Sequence, residues 1–380
     1  MPGLPRPASA PIKASMSATL LSPSLAARRR SARPVAAWLF AVSAMIAVMV
    51  VLGGATRLTG SGLSIMEWAP LSGVVPPLSH AEWERLYGLY QQLPQYELVN
   101  KGFGLAGFQH IFWLEWVHRL WGRLLGAVFL VPLVWFAARG QIPRRLVPRL
   151  VLLFVLGGLQ GAVGWIMVAS GFAADSTSVS AYRLVAHLAL ALLLYAALLW
   201  TALDVWCGDA APPAPRLGRL PRRLLGAVCI LVPLTILAGG FVAGTHAGLI
   251  YNTFPLMDGH LVPESYGTLR PWLRNPFENL AAVQFDHRAL ATATLALALA
   301  AVAAGLRGGA RGPARTALLA LGGAVALQYA LGVATLLLVV PVPLGVLHQA
   351  VAIGVLTAAL AALHTQMIGY QRVDPALTTA

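Results

Sequence analysis

The sequence predicts an all-α integral membrane protein with eight transmembrane helices, arranged as two pseudo-symmetric four-helix bundles. Three observations support this prediction: the composition, a series of eight long apolar segments, and an internal repeat. Of the 380 residues, 58% are hydrophobic and 11% are charged, whereas a soluble domain carries roughly 25% charged residues. This composition places the chain among membrane proteins.

Eight apolar segments are long enough to cross a hydrocarbon core of about 30 Å as helices. They are residues 35–54, 111–138, 150–169, 183–206, 224–244, 279–305, 316–340 and 344–369. The short loops between them that carry most of the arginines, together with the basic N-terminus, are predicted to be cytoplasmic. Both termini then lie on the cytoplasmic side, and the long loops 55–110 and 245–278 lie on the outer side.

The formal net charge of +14 is explained by this topology. Because no basic stripe with interleaved aromatic residues is present, nucleic-acid binding is not expected. Residues 1–34 contain no acidic residue and are predicted to be a basic disordered tail, with an organelle transit peptide as the alternative. The Ala-, Arg- and Pro-rich composition favours the inner (cytoplasmic) membrane of a bacterium over the mitochondrial inner membrane.

An internal repeat divides the chain into two halves, 35–206 and 224–369, joined by an inner linker 207–223 and followed by a C-terminal tail 370–380. In both halves a Phe precedes a His-Arg pair by ten positions, and a Gly-Gly pair lies in the first helix. Leu159-Gln160 with Gly164 corresponds to Leu327-Gln328 with Gly332. An even number of helices in each half makes this a parallel duplication.

Four histidines are the candidate ligands: His118 and His187 in the first half, and His287 and His348 in the second. All four are predicted to lie at a similar depth in the outer leaflet, where ionisable side chains usually mark a site. A hydrogen bond between helices is the alternative for any single one of them. Two pairs in register favour axial ligation of haem iron within apolar bundles. Zinc is less suitable because it needs three or four ligands.

Three arginines near these histidines are candidates for contacts with haem propionates or the pocket: Arg57, Arg119 and Arg288. Snorkelling to the membrane interface is the alternative for each of them. Asp286 is expected to pair with Arg288.

Glu115 is the candidate catalytic residue because it lies three positions before His118, on the same side of the helix. Its counterpart in the second half is Gln284. A carboxylate in one half only suggests that the first half handles a reacting molecule while the second half holds a redox cofactor. A salt bridge with Arg119 or Arg123 is the alternative role for Glu115.

The chain resembles the haem A synthase family over nearly all of 35–369. The resemblance is carried by the four histidines and by the segments EWVHR (115–119), DHR (286–288), GGATRLTGSG (53–62) and THAG (245–248). The long first outer loop, with IMEW at 65–68 and the two prolines at 76–77, is similar to the proteobacterial and mitochondrial branch. Another branch has cysteine pairs in its outer loops, and this chain has none there.

The resemblance implies an oxidoreductase that converts the C8 methyl group of haem O to a formyl group, giving haem A for cytochrome c oxidase. His287 and His348 would be the axial ligands of a resident haem b, and His118 and His187 would bind the substrate haem O. Glu115 would be the residue most needed for the chemistry.

Two other functions remain open from the sequence. A di-haem transmembrane electron carrier explains the four histidines but not Glu115 in one half only. A transporter explains the duplication but is disfavoured by parallel halves. The expected partners are the lipid bilayer, an unidentified electron partner, and a haem O synthase or an assembly factor of cytochrome c oxidase, with a homo-oligomer left open.

Overall fold

The computed structural model describes residues 23–208 and 217–367 of the chain. Within these residues, eight helices are long and apolar enough to cross a membrane. They are α1 (Pro23–Leu58), α2 (Leu105–Ala138), α3 (Val147–Ala169), α4 (Ala181–Cys207), α5 (Arg219–Thr245), α6 (Leu280–Arg307), α7 (Gly312–Leu337) and α8 (Val342–Met367). The predicted helical membrane fold is therefore confirmed.

The largest differences from the predicted helix boundaries are at the starts of α1 and α2. Helix α2 begins at Leu105 rather than at 111, and α1 begins at Pro23, inside the segment predicted to be a tail. Residues 1–22 of that tail, 209–216 of the linker and the C-terminal tail 370–380 lie outside the described residues.

Each half of the chain forms a closed ring of four helices. In the first half α1 packs on α2, α2 on α3, α3 on α4, and α4 on α1, and the second half repeats this order with α5, α6, α7 and α8. Helices α2 and α4 therefore stand at opposite corners of one ring, and α6 and α8 at opposite corners of the other. The two rings meet through α1, α4, α5 and α8. This repeated arrangement is consistent with the predicted duplication.

The buried apolar side chains form two separate clusters. The larger cluster, which includes Leu39, Leu198, Leu225 and Leu356, joins the two rings near the face that carries the chain termini. The smaller cluster lies at the opposite face, which we call the loop face, where Tyr90 of the first long loop packs on the start of α2. The two candidate histidines of the first half lie between these two clusters along their helices. None of the four candidate histidines is fully buried.

The two long loops cover the loop face and contain short helices of their own. The first loop has helices at His80–Tyr90 and Pro94–Leu98, and the Ser79 side chain caps the first of them by accepting a hydrogen bond from Glu82 N. The second loop ends at Asn279, whose side chain caps α6 by accepting from Ala281 N and Ala282 N. Both loops are therefore folded onto the ends of the helices.

Candidate functional site

The two candidate histidines of the first half each lie against a glycine of the preceding helix. A methyl group added at Gly53 of α1 would be 3.3 Å from His118 Nε2, and one added at Gly164 of α3 would be 2.8 Å from His187 Cε1. The absence of a side chain at these glycines is what allows the rings to lie so close to the neighbouring backbone.

The second half repeats both contacts. A methyl group added at Gly239 of α5 would be 3.0 Å from His287 Cε1, and one added at Gly332 of α7 would be 2.9 Å from His348 Cε1. His287 and His348 lie about two helical turns from the loop-face ends of their helices, as does His187. The second pair therefore has the same kind of glycine contacts as the first, on the equivalent helices of its ring.

The two histidines of each half come from opposite corners of one four-helix ring. Within the described residues there is no cluster of three His, Cys, Asp or Glu side chains suited to a bare metal ion. Two imidazoles on facing helices, seated against glycines in an apolar bundle, fit the axial coordination of haem.

Glu115 is buried and accepts hydrogen bonds from the first long loop. Its Oε2 accepts from Ser64 N (2.8 Å), Ser64 Oγ (2.7 Å) and Ile65 N (3.0 Å). Its Oε1 accepts from Arg119 Nε (3.0 Å) and Nη2 (2.6 Å). The salt bridge with Arg119, which was the alternative role for Glu115, is therefore present, and the same carboxylate also fixes the loop.

Arg119 extends this attachment along the loop. Its Nη2 donates to Ile65 O (2.5 Å) and its Nη1 donates to Glu67 O (3.0 Å). One turn further along α2, Arg123 donates to the carbonyl oxygens of Ala69 and Pro70. One face of α2 therefore holds residues 64–70 of the loop against the bundle.

The Glu67 side chain, in turn, connects this part of the loop to the short helix His80–Tyr90. Its carboxylate accepts two hydrogen bonds from Arg85, at 2.8 and 2.9 Å. Hydrogen bonding to the Arg85 guanidinium holds the pKa of this carboxyl below its ordinary value. Both side chains are nearly half exposed, so this ion pair adds little to the attachment made by Glu115.

The second half has an equivalent attachment made by an amide. Gln284 Nε2 donates to Ala247 O (2.8 Å) and Ile250 O (2.5 Å) of the second long loop. Arg288 donates to Gln284 Oε1 (2.7 Å) and to the carbonyl oxygens of Tyr251 and Thr253. The expected pairing of Asp286 with Arg288 is wrong: Asp286 accepts from Tyr266 OH (2.9 Å), because the loop folds that hydroxyl onto α6.

The ring of His287 has a hydrogen bond that the ring of His118 lacks among the described residues. His287 Nδ1 lies 3.1 Å from Thr235 O on α5 and donates to it, which leaves Nε2 as the acceptor nitrogen. His118 instead turns its Nε2 edge toward Gly53. The ring of His287 is therefore the more firmly held of the two.

Arg57 joins the two halves at the loop face. Its Nη2 donates to Gly244 O (3.1 Å) and lies 2.8 Å from His246 Nε2, both in the second half. The Nε atoms of Arg57 and of Arg288 are buried and have no hydrogen-bond partner in the part of the chain that the structure describes. Such donors suit an anionic group bound at the mouth of the bundle.

The histidines and Glu115 are candidates predicted from the sequence, whereas the groups that contact them in the structure were not predicted. Ser64, Thr235 and the loop carbonyl groups are more than 30 positions away from their partners or contribute only main-chain atoms. The repeat did contain one signal, because Gln160 and Gln328 were recognised as equivalent. In the structure, both amides lie beside candidate ligands.

Comparison with known proteins identifies the family of this chain. Residues 36–360 match the COX15-CtaA family, described as cytochrome oxidase assembly protein. A "Heme A synthase" of Granulibacter bethesdensis is 63% identical over 332 residues, which cover 87% of each chain. A "Heme A synthase 2" of Acidiphilium cryptum is 49% identical over 339 residues, covering 88% of this chain and 92% of the relative. The chain therefore belongs to the COX15-CtaA family.

Proposed function

We propose that this chain is a haem A synthase, an oxidoreductase that oxidises the C8 methyl group of haem O to a formyl group. The similarity to enzymes of that name supports the proposal. The observation that carries it is the presence of a candidate pair of iron ligands in each half, with a buried carboxylate beside only one pair. An enzyme that acts on one haem and holds another needs two haem sites, and a carboxylate beside only one of them suits that division of roles.

We further propose that haem b is held by His287 and His348 and that haem O is held by His118 and His187. The hydrogen bond from His287 Nδ1 to Thr235 O supports this assignment, because fixed imidazoles suit a permanently bound group. The less restrained ring of His118 suits a molecule that must enter and leave. When bound, haem b would supply a site that accepts electrons from the oxidation.

Glu115 is proposed to act in two ways. It keeps residues 64 and 65 of the loop in place over the first half, and it provides a fixed negative charge beside His118. A carboxylate that is already oriented by two backbone N–H groups can stabilise positive charge at the reacting methyl group without reorganising. The remaining interactions of Glu115, with Arg119 and Ser64, fix the position of the carboxylate.

The arginines are proposed to have different roles at the mouth of the bundle. Arg57 and Arg288 each keep a buried Nε donor for a haem propionate. In Arg119, by contrast, the Nε, Nη1 and Nη2 atoms all donate to Glu115 or to the loop. We therefore assign Arg119 to holding the loop rather than to binding a propionate.

The protein is a multi-pass membrane protein, and its bacterial relatives indicate the inner membrane. We propose that both termini are cytoplasmic, since most arginines of the short loops lie at that face. The loop face would then be outside, where a haem O synthase or an assembly factor of cytochrome c oxidase could dock.

The experiment that tests the function is identification of the haem extracted from the purified chain, produced in cells that supply haem O. Chromatography with mass analysis is expected to find haem b together with haem O, its hydroxylated form or haem A. Haem b alone, at two molecules per chain, would contradict the synthase and would indicate a di-haem electron carrier. Topology is tested separately, by labelling cysteines introduced into the two long loops from the outside.

A further inference from the structure

Two glutamines outside the predicted site lie beside one candidate ligand in each half. Gln160 on α3 and Gln328 on α7 each precede a ring-contacting glycine by four positions, so amide and glycine lie on the same face of the helix. Gln160 Nε2 is 3.4 Å from His187 Nε2, and Gln328 Nε2 is 3.3 Å from His348 Nε2. The same arrangement thus occurs in both halves.

The orientation of the Gln160 amide is fixed by a second contact. Its Nε2 also donates to His187 O at 3.0 Å, and a carbonyl oxygen can only accept. The amide nitrogen therefore faces the imidazole, and since that nitrogen can only donate, His187 Nε2 must be the acceptor. The proton of the neutral ring is then on Nδ1. The single lone pair of Nε2 accepts the amide hydrogen bond, so iron could bind there only by displacing the amide.

The polar atoms of these contacts are incompletely satisfied. The Oε1 atoms of Gln160 and Gln328, and the Nδ1 atoms of His187 and His348, are buried without a hydrogen-bond partner in the described part of the chain. Buried polar groups without partners are rare in folded proteins, and they often mark a place that a ligand completes.

We propose that Gln160 with Gly164, and Gln328 with Gly332, form two equivalent notches that position His187 and His348 as iron ligands. In each notch the glycine lets the ring lie against the helix. The glutamine holds the ring with its proton on Nδ1, and iron would displace the amide from Nε2 on binding. Both are positioning residues, because they act through the histidine. The inference rests on the proposed function.

The other two histidines do not have this notch. The residue four positions before Gly53 is Met49, and the residue four positions before Gly239 is Thr235, whose carbonyl oxygen binds His287. In each half, therefore, one candidate ligand is seated in a Gln–Gly notch. The other is seated against a glycine, and in the second half it also has a hydrogen bond with the carbonyl oxygen of Thr235.

The test compares alanine substitutions at notch glycines with matched substitutions on the same helices. Gly332→Ala would bring a methyl group to 2.9 Å from the His348 ring, whereas Gly323→Ala meets no atom within 4 Å. Gly164→Ala and Gly161→Ala form the same kind of pair on α3. The full-length chain is purified for each variant from cells that supply haem O.

Gly332→Ala is expected to lower the affinity for haem b by about 10-fold, the size usual when a group that orients a metal ligand is disturbed. Its remaining haem b is expected to show a changed low-spin electron paramagnetic resonance spectrum and a shifted midpoint potential. Gly164→Ala is expected to leave these haem b signals unchanged while reducing the haem O retained. Gly323→Ala and Gly161→Ala are expected to match the wild type.

The proposal is wrong if Gly332→Ala has the haem b content, spectrum and potential of Gly323→Ala, or if both variants lose haem equally. Should Gly332→Ala not fold, Gln328→Leu replaces it, and an unchanged affinity for haem b in that variant would also overturn the proposal. A wild-type chain without haem b would instead refute the proposed function, so the two failures are distinguishable.

Discussion

The two halves of the molecule use opposite hydrogen-bonding groups at the same position. In the first half the loop presents N–H groups, from Ser64 and Ile65, to the carboxylate of Glu115. In the second half the loop presents carbonyl oxygens, from Ala247 and Ile250, to the amide of Gln284. A carboxylate only accepts and an amide nitrogen only donates, so each residue matches its own loop.

This difference changes the interpretation of Glu115 and its counterpart Gln284. Because the carboxylate occurs in one half and not in the other, the sequence suggested that the chemistry takes place in that half. In the structure, the same difference also matches the backbone groups of the two loops, which present N–H groups in one half and carbonyl oxygens in the other. A catalytic role for Glu115 must therefore be separated from its role in holding the loop, and substitutions in the two halves can do this.

The largest effect is expected for Glu115→Gln. The change removes the fixed charge beside His118 and leaves the buried guanidinium of Arg119 without its ion pair. We expect haem A output at equal expression to fall about 100-fold, a size typical of losing a positioned acid or base group. Haem A is measured by chromatography of extracted haem, and haem b content is measured in the same sample.

The matched control for this variant is Ser64→Ala. It removes one donor to Glu115 but keeps the carboxylate and both backbone donors, so it should cost about 1 kcal/mol of stability. Its haem A output is expected to stay near that of the wild type. Equal output from Glu115→Gln and the wild type would show that Glu115 only holds the loop or has no role.

The second largest effect is expected for Gln284→Glu, the reverse change in the other half. A carboxylate oxygen would replace the amide nitrogen that donates to Ala247 O and Ile250 O, so two hydrogen bonds would become repulsions. We expect a loss of about 2 kcal/mol of stability, measured by thermal unfolding in detergent, together with loss of haem b. Arg288, which now donates to Gln284 Oε1, would neutralise the introduced carboxylate only in part.

The double variant with Glu115→Gln and Gln284→Glu sharpens the comparison. If the two positions were interchangeable, exchanging the residues would restore function in the duplicated fold. The carboxylate introduced at position 284 would face the carbonyl oxygens of the second loop, and the amide nitrogen introduced at position 115 would face the Arg119 guanidinium. We therefore expect the double variant to be less stable than either single one. Recovery of stability in the double variant would contradict this explanation.

A smaller effect separates the two arginines that hold the loops. Arg119→Lys loses the fork that joins Glu115 to Ile65 O and Glu67 O, whereas Arg288→Lys loses contacts with neutral groups only. A lysine cannot reproduce this planar geometry. Hydrogen exchange with mass analysis is expected to show more exchange in 61–70 for Arg119→Lys than in 247–256 for Arg288→Lys. Equal exchange in the two loops would contradict it.

Much of the fold was predictable from the sequence because a helix that spans a membrane satisfies its own backbone. The apolar segments therefore predicted the eight membrane helices found among the described residues. The start of α2 was missed because residues 105–110 belong to a helix end covered by the outer loop, where His110 and Gln109 interrupt the apolar pattern. Apolar length indicates what crosses the membrane and says little about where a helix ends outside it.

The candidate site was predictable only in part, for a physical reason. The repeat revealed the four histidines and Glu115, since those are side chains of recognisable type at repeated positions. The attachment of the loops depends on which backbone groups face α2 and α6, and no residue type encodes that. The pairing of Asp286 with Tyr266 was likewise hidden, because it depends on how the second loop folds over α6.

The smallest effect is expected at the exposed edge of the first loop, in Glu67→Gln. Because Arg85 lowers the pKa of Glu67, the ion pair stabilises the fold above the ordinary glutamate pKa of about 4.3. That contribution is lost as the pH falls through the lowered value. An exposed pair of this kind contributes no more than about 0.5 kcal/mol.

Thermal unfolding of wild type and Glu67→Gln is therefore expected to differ slightly at neutral pH and to coincide once Glu67 is protonated. The buried pair of Glu115 and Arg119 serves as the internal comparison, because the same loop is held there by backbone donors as well as by charge. Glu67→Gln could lower the unfolding temperature at neutral pH as much as Glu115→Gln does. That result would mean that the exposed ion pair, rather than the buried carboxylate, holds the first loop on the bundle.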